Sequence, residues 1–207
     1  MSFVDLGFER LMDFSNNNIY MLFAIARSKA NDGITAKQQV VIREPVRSIE
    51  SFPHKLEKIK SAAKLRDFKF YIYISVNARD TKKAYVNFKK KLSEYELQAM
   101  FGKDEYKYQL SRLHKVWYST LMQPSARATK YFVVDVDTKN HDVLDKVIDA
   151  IETFECKGYT ANVYHVKETR NGYHVVTSGF DKRILFGIPD VSVHSDALLY
   201  LDCIGFE

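Results

Sequence analysis

The chain has 207 residues, of which 46% are hydrophobic and 28% charged, a composition that excludes an intrinsically disordered protein. Lysine and arginine number 31 against 26 aspartate and glutamate residues, and the formal charge of +5 suits a polyanionic partner without requiring one. The 2 cysteines have no CxxC spacing, which argues against a zinc ribbon or a disulfide framework. The amino-terminal segment lacks the apolar core of a signal peptide or membrane span, so we expect a cytoplasmic protein.

The first half of the chain is predicted to contain strands followed by helices. Two extended segments, residues 19–27 and 38–48, flank a polar turn at residues 31–33, which is typical of a hairpin. In residues 68–76, apolar and polar side chains alternate as they do in a strand with one buried face. Apolar residues at three- and four-residue spacings then predict two amphipathic helices before Pro124.

The second half is predicted as a strand, a helix, a hairpin and a final strand. The apolar segment 130–137 forms the first strand, and Asn140 is expected to cap a helix that Gly158 ends. Two further extended segments flank a tight turn at residues 170–172, and residues 191–206 close the chain as an extended segment. This succession fits an RRM-like or ferredoxin-like half, in which a small sheet carries helices on one face.

Asp135 and Asp137 carry the first chemical signal. Because successive side chains of a strand point to opposite faces, two carboxylates two positions apart project on the same side. Such carboxylates repel each other unless a cation neutralises them, and the pair suits hard cations that prefer oxygen ligands. Taken alone, the pair is more typical of a solvated strand end at which Asp137 starts a turn.

The second signal is a histidine that directly follows the turn at residues 170–172. His174 stands near the start of a strand, where its ring can donate to a triphosphate oxygen, and Arg170 can add a positive contact. Without a partner motif, such a histidine is more typical of a hairpin residue that has no catalytic role. The two signals therefore gain their meaning in combination.

In combination, the segments DVD (135–137) and GYH (172–174) resemble two linked motifs of the archaeo-eukaryotic primase superfamily. Members of that family carry an acid-hydrophobic-acid motif on one strand, a small-residue-x-His motif on a following strand, and a further acid later. The stretch TRNGYHVVTSGFD is also similar to phage and plasmid members, which are small primases or primase-polymerases. Residues 126–207 carry the resemblance, whereas residues 1–125 match only as a preceding α/β lobe.

The resemblance implies an α+β fold with a bilobed primase-like catalytic core. An N-terminal α/β lobe in residues 1–125 and an RRM-like (ferredoxin-like) half in residues 126–207 would form one compact catalytic unit. The implied function is that of a DNA primase or primase-polymerase, a metal-dependent nucleotidyltransferase that makes or extends primers on single-stranded DNA from nucleoside triphosphates. Mg²⁺ or Mn²⁺ would be the cofactor, and a helicase or another replication subunit a further partner, in the cytoplasm of a bacterium or a phage-infected cell.

The same resemblance assigns roles to individual residues. The expected catalytic residues are Asp135, Asp137 and His174. The expected metal ligands are Asp135, Asp137 and Asp196. The expected contacts to the incoming nucleotide are His174, Arg170 and Asn171. Asp190 and Asp202 lie in the same region as Asp196, and no motif fixes the choice of the third acid.

A template strand would require a basic surface, because most of the affinity for nucleic acid comes from its phosphates. The candidates are Arg79, Arg127 and Lys130, of which Arg79, directly after the alternating strand, is the first choice. Tyr71 and Tyr73 on that strand are candidate stacking platforms for bases.

Two alternatives stay open at this point. Residues 137–139 have the acid-x-Lys order of a restriction-type nuclease, in which Lys139 would position the attacking water, although neither Asp104 nor Glu105 supplies the upstream acid in a strand. The other alternative is a catalytically silent relative whose RRM-like half only binds nucleic acid. Carboxylates on its central strand argue against passive binding, because they repel phosphate unless a metal is bound.

Overall fold

The computed structural model describes residues 7–32, 34–35, 39–156 and 158–205, and these form a mixed α+β fold with antiparallel sheets. The α-helices are α1 (Phe52–Lys64), α2 (Thr81–Met100), α3 (Asp104–Leu110), α4 (Leu113–Leu121) and α5 (His141–Glu152). The strands are β1 (Asn18–Ala26), β2 (Val40–Val46), β3 (Phe70–Ser75), β4 (Arg79–Asp80), β5 (Phe132–Val136), β6 (Glu155–Cys156), β7 (Tyr159–Thr160), β8 (Val163–Glu168), β9 (Tyr173–Thr177), β10 (Val191–His194) and β11 (Leu198–Ile204). No helix among the described residues has the length and apolarity needed to cross a bilayer.

Contacts divide the chain into two compact units. The first unit combines Met1–Met12, Tyr20–Asn77 and Lys130–Glu207, and the second combines Asp13–Ile19 and Ala78–Thr129. This division differs from the predicted one into two consecutive halves, because the amino-terminal strands group with the carboxyl-terminal half. The residues proposed for catalysis, strands β2 and β3, and β1 from Tyr20 onwards therefore belong to the same unit.

One sheet of the first unit has the strand order β11-β3-β1-β2, and α1 packs against it. The antiparallel pairing of β1 with β2 agrees with the predicted hairpin, although residue 33 of its turn lies outside the described residues. The alternating segment 68–76 is confirmed as a strand, β3. Helix α1 was not predicted, because its buried positions, among them Ile59 and Ala63, form a narrow stripe between lysines.

The other large sheet of the first unit has the order β10-β5-β9-β8. Helix α5 packs on one face of this sheet, and its residues Leu144, Val147 and Ile151 form a buried core with Val134 and Val136 of β5. Because side chains alternate along β5, the residues between and beyond these two valines lie on the opposite face. We call that opposite face, which α5 does not cover, the open face of the second sheet, although Val133 and Val176 on it are buried.

Helix α5 begins where the sequence predicts and ends earlier. The Asn140 side chain accepts a hydrogen bond of 2.9 Å from the Asp142 N–H, which confirms Asn140 as the N-cap. The helix ends at Glu152 and not at Gly158, whose φ of +77° belongs to the turn between β6 and β7. Glycine adopts this left-handed conformation without strain, so the residue marks a tight turn.

Two further predictions are wrong in detail. The second predicted helix is interrupted at Ser111 and Arg112, where the Ser111 hydroxyl donates to the Tyr108 carbonyl at 2.8 Å and so competes with helical hydrogen bonding. The final extended segment is not one strand, because the chain bends at residues 195–197 and continues as β11 in the other sheet.

The second unit is built from α2, α3 and α4, which pack on one another. Asp80 caps α2, since its carboxylate accepts the N–H groups of Lys82 and Lys83 at 2.9 and 3.1 Å. Strand β4 pairs with Asn18 and Ile19 at the start of β1.

Asn77 ties three segments of the first unit together just after β3. Its side-chain amide donates to the carbonyls of Tyr131 and Ser195 at 3.0 and 3.3 Å, and its side-chain oxygen accepts the Tyr131 N–H at 2.7 Å. The residue is fully buried, with 0% exposure. The start of β5 and the connection from β10 to β11 are thus held by one side chain.

Replacing Asn77 with alanine is expected to lower the free energy of unfolding by about 1–3 kcal/mol, because buried backbone groups of Tyr131 and Ser195 lose their partner. Urea unfolding followed by circular dichroism measures this change. The matched control is Asn87→Ala, which removes an exposed hydrogen bond to Ser125 and is expected to change stability by less than about 0.5 kcal/mol. Equal effects of the two substitutions would contradict the role given to Asn77.

Candidate active site

Asp135 and His174 meet at the centre of the open face of the second sheet. Asp135 lies on β5, and the strand register places it opposite His174 on β9 and Ser192 on β10. The Asp135 Oδ1 and His174 Nε2 atoms are 3.4 Å apart. The two motifs singled out in the sequence are therefore cross-strand neighbours, which is the arrangement that lets their side chains act on one ligand.

The backbone of Tyr200 fixes the tautomer of the neutral His174 ring. The Tyr200 N–H, on β11, donates to His174 Nδ1 at 3.3 Å. A backbone N–H can only donate, so Nδ1 must be the acceptor nitrogen and the proton of the neutral ring is on Nε2. This Nε2–H is directed at Asp135.

We expect nitrogen-15 NMR spectra at neutral pH to show His174 with an unprotonated Nδ1 and a protonated Nε2, because of the hydrogen bond from Tyr200. Long-range correlations between ring protons and ring nitrogens distinguish the two tautomers. A His174 ring protonated on Nδ1 would contradict the assignment.

The Asp135 carboxyl lies in an environment that favours its ionised form. The hydrogen bond from His174 is the main cause that lowers its pKa below 3.8, burial opposes this shift, and the charges of His174, His194 and Arg27 add to the lowering. Because the pKa in the folded state is depressed, the carboxylate stabilises the fold above its unfolded pKa, and this contribution is lost as pH falls through the folded value. Asp135 is therefore an anion at neutral pH.

Replacing His174 with alanine is expected to raise the pKa of Asp135, because the largest cause of the lowering is removed. Carbon-13 NMR titration of the side-chain carboxyl groups measures the shift. Asp181 is an internal control: its pKa is lowered to about 2 by Arg183 and is expected to stay there in the same variant. An Asp135 midpoint that does not move would show that His174 is not its partner.

The first sheet brings one cation and two aromatic rings to this site. The Arg27 guanidinium lies 5.2 Å from the centre of the Tyr73 ring, and the Tyr73 and Tyr200 rings meet edge to face with centres 5.9 Å apart. Burial raises the pKa of Tyr200 to about 12, so its hydroxyl stays neutral. Since Arg27 also lowers the pKa of Asp135, positive and negative charge approach each other across this site.

The turn between β8 and β9 contributes Arg170, Asn171 and Gly172. Arg170 Nη1 donates to the Tyr71 hydroxyl at 3.4 Å, which links the turn to β3, and the Asn171 side chain is exposed. Gly172 packs against the end of β5: a Cβ atom there would lie 1.8 Å from the Val136 carbonyl oxygen. Only glycine permits this approach, so the turn and the end of the acidic strand are positioned together.

The predicted metal ligands are only partly assembled. Asp137 is exposed at the end of β5, where its N–H donates to the Asp190 carbonyl at 2.8 Å. Asp196 lies in the bend between β10 and β11, and Asp202 pairs with Lys60 at 2.7 Å. In the part of the chain that the structure describes, no three histidine, cysteine or acidic side chains converge as a metal-ligand set. Asp196 is therefore part of no such set among the described residues.

The three residues predicted to contact nucleic acid differ in their exposure to solvent. Arg79 is 0% exposed, so its guanidinium does not reach the surface, and the expectation that it meets a template is wrong. Arg127 is partly buried and donates to the Pro124 carbonyl at 3.3 Å, whereas Lys130 is exposed. The assignment of Arg79 failed because its place after a strand says nothing about what covers it.

Sequence reasoning missed four residues of the site: Arg27, Ser192, His194 and Tyr200. Ser192 and His194 are exposed on β10 and hydrogen-bonded to each other at 3.0 Å, beside Asp135. The alternation in VSVH (191–194) was a usable signal for them, since it places both polar side chains on one face. No local signal marks Arg27 or Tyr200, which reach the site through pairing between distant strands.

No family model, curated protein or solved structure matches this chain.

Proposed function

We propose that the chain is a metal-dependent nucleotidyltransferase of the primase or primase-polymerase type, which starts or extends a strand on single-stranded DNA. The observation that carries the proposal is the contact between Asp135 and His174 at the centre of the open face. A carboxylate beside an imidazole, with Arg27 close by, is suited to bind a cation and a phosphate group in one place.

The strand order of the second sheet supports the same proposal. The four strands of this sheet follow one another along the chain as β5, β8, β9 and β10. In the sheet, the order β10-β5-β9-β8 therefore places the fourth strand beside the first, then the third and the second, and α5 lies between the first and second strands in sequence. This is the order of RRM-like and ferredoxin-like sheets. The second helix of that motif is replaced by a short 3₁₀ helix, Lys182–Leu185. The bilobed primase-like core would then combine this sheet with the sheet that supplies Arg27 and Tyr200.

Asp135 and Asp137 would hold Mg²⁺ or Mn²⁺. Two carboxylates on one face of a strand fit a hard cation, and its remaining positions would be left to substrate oxygens and water. When bound, such an ion neutralises phosphate charge and activates the attacking hydroxyl.

The other residues would position the nucleotide. With a cation on the Asp135 carboxylate, His174 Nε2–H would donate to a phosphate oxygen in place of Asp135, and Arg27 would add a positive charge on the side of the first sheet. The rings of Tyr73 and Tyr200 offer surface for packing against a base or sugar. Arg170, whose guanidinium is exposed beside Tyr71, borders the same region.

The nuclease alternative lacks a supporting contact. Lys139 Nζ forms an ion pair of 2.5 Å with Glu168, so the ammonium that would position an attacking water is already engaged by a carboxylate. The silent-relative alternative predicts no chemistry at all. One assay separates all three functions.

The test is incubation of the purified chain with a labelled primer on a single-stranded template, deoxy- or ribonucleoside triphosphates, and Mg²⁺ or Mn²⁺. Extension of the primer is the expected result, and synthesis without a primer identifies a primase. Degradation of the template in place of synthesis would move the assignment to a nuclease. No reaction, combined with no binding of Mn²⁺ by calorimetry, would overturn both enzymatic assignments.

A further inference from the structure

A lysine-lined cavity lies at the edge of the first sheet, between α1 and β11. Its volume is about 520 Å³, and its lining includes Lys60 and Lys64 of α1 and Lys69 just before β3. A cavity of this size lies within the range of small-molecule sites. Three ammonium groups around one concave surface repel each other, so the cavity is prepared for negative charge.

Two carboxylates, those of Asp202 and Glu57, pair with one of these three lysines: Glu57 Oε1 lies 4.0 Å from Lys60 Nζ. Asp202 Oδ2 pairs with Lys60 Nζ at 2.7 Å. Among the described residues, neither Lys64 nor Lys69 has a carboxylate within ion-pair distance. Among the described residues, the three lysines outnumber the two carboxylates that pair with Lys60, and the ammonium groups of Lys64 and Lys69 can donate hydrogen bonds to a ligand.

The wall of the cavity is built from the end of β11. Gly205 has a φ of +106°, and a Cβ atom there would lie 2.7 Å from the Phe68 carbonyl oxygen. Glycine at this position lets β11 lie close to the segment that carries Lys69. Cys203 lines the same cavity, where burial raises the pKa of its thiol and the charge of Lys69 opposes that rise. The pKa of the Cys203 thiol therefore depends on the charge around the cavity.

We propose that this cavity is a binding site for a phosphate group, carried either by a free polyphosphate or nucleotide or by the backbone or end of an oligonucleotide. Phosphate is tetrahedral and carries more than one negative charge, so it matches several converging ammonium donors better than a single carboxylate does. The site goes beyond the proposed reaction, since none of its lining residues belongs to the Asp135 and His174 centre.

Cys203 is a built-in reporter for occupancy. The chain has 2 cysteines, so Cys156→Ser leaves Cys203 as the single thiol. The rate at which uncharged N-ethylmaleimide modifies Cys203 is measured alone, with inorganic tripolyphosphate, and with single-stranded oligonucleotides that have a 5′-phosphate or a 5′-hydroxyl. We expect bound phosphate to slow the modification, with half-protection at a lower concentration of the preferred source.

Substitutions distinguish binding in this cavity from an effect on the reaction centre and from a general effect of positive charge. The double change Lys64→Ala and Lys69→Ala is expected to weaken protection at least about tenfold, because two hydrogen bonds to a charged ligand are lost. Arginine at both positions keeps the charge and is expected to retain binding. The matched control, Lys89→Ala and Lys90→Ala on α2, removes the same charge elsewhere and is expected to leave protection unchanged.

Asp202→Asn provides a test in the opposite direction. It removes the carboxylate of the cavity lining and leaves Lys60 with the longer contact to Glu57, so the phosphate concentration needed for protection is expected to fall several-fold.

Each outcome decides the proposal. Protection by tripolyphosphate identifies a free phosphate ligand, and protection by oligonucleotides alone identifies the nucleic-acid source. We expect protection of Cys203 to persist in Asp135→Asn even if that variant has no polymerase activity. The phosphate site can therefore be tested whether or not the proposed function is correct. No protection by any probe, equal losses in the two double variants, or loss of protection in Asp135→Asn would overturn the site.

Discussion

Replacing Asp135 with asparagine is expected to reduce primer extension at least about 100-fold, because a bound metal would contribute several kcal/mol of transition-state stabilisation and Asp135 is more buried than Asp137, the other proposed ligand on this strand. Asparagine has the same size and still accepts a hydrogen bond from His174 Nε2, so the fold is expected to survive. Single-turnover extension of a labelled primer measures the loss, and calorimetry with Mn²⁺ measures the accompanying loss of metal affinity.

The matched control is Asp145→Asn. Asp145 is an exposed residue of α5, the helix that covers the opposite face of the same sheet, and the substitution removes the same charge. Its extension rate is expected to equal that of the wild-type chain. Normal extension by Asp135→Asn would refute the catalytic assignment, and an equal decline in both variants would point to a general effect of charge.

The strands that carry the motifs were predictable because their signals are local. Alternation identifies β3, the turn at residues 170–172 marks the extended segments on either side of it, β8 and β9, and the polar cap at Asn140 identifies the start of α5. Asp135 and His174 were paired in the sequence through a resemblance, and the register of β5 with β9 gives a physical reason for their proximity. Two residues 39 positions apart in sequence become neighbours only when strand pairing is known.

The remainder of the site depends on which strands become neighbours. Arg27 follows β1, and Tyr200 belongs to β11, yet both reach the Asp135 region through the first sheet. The sequence suggests one strand for residues 191–206, whereas the bend at residues 195–197 sends β10 and β11 into different sheets. Arg79 illustrates the opposite error: a charged residue predicted for the surface is completely buried. Burial and sheet membership are tertiary properties, and local patterns do not encode them.

Gly172 provides the second large effect, since it connects the two motifs sterically. An alanine Cβ at this position would lie 1.8 Å from the Val136 carbonyl oxygen and 2.8 Å from the Thr138 nitrogen. Both atoms belong to backbone, so neither moves away without displacing the end of β5. We expect Gly172→Ala to lower the free energy of unfolding by about 1–3 kcal/mol or more, as overpacking does, and to reduce extension by displacing Asp137.

The control for this prediction is Gly179→Ala, because the added Cβ meets only the Phe132 ring at an ordinary distance of 3.7 Å. Its stability is expected to stay the same or to rise slightly, since alanine restricts the unfolded chain. Thermal unfolding measures both variants, and amide chemical shifts of residues 136–138 report whether the strand end moves. A Gly172→Ala protein with wild-type stability and unchanged shifts would show that the turn can yield without moving β5, and the steric link between the two motifs would then be absent.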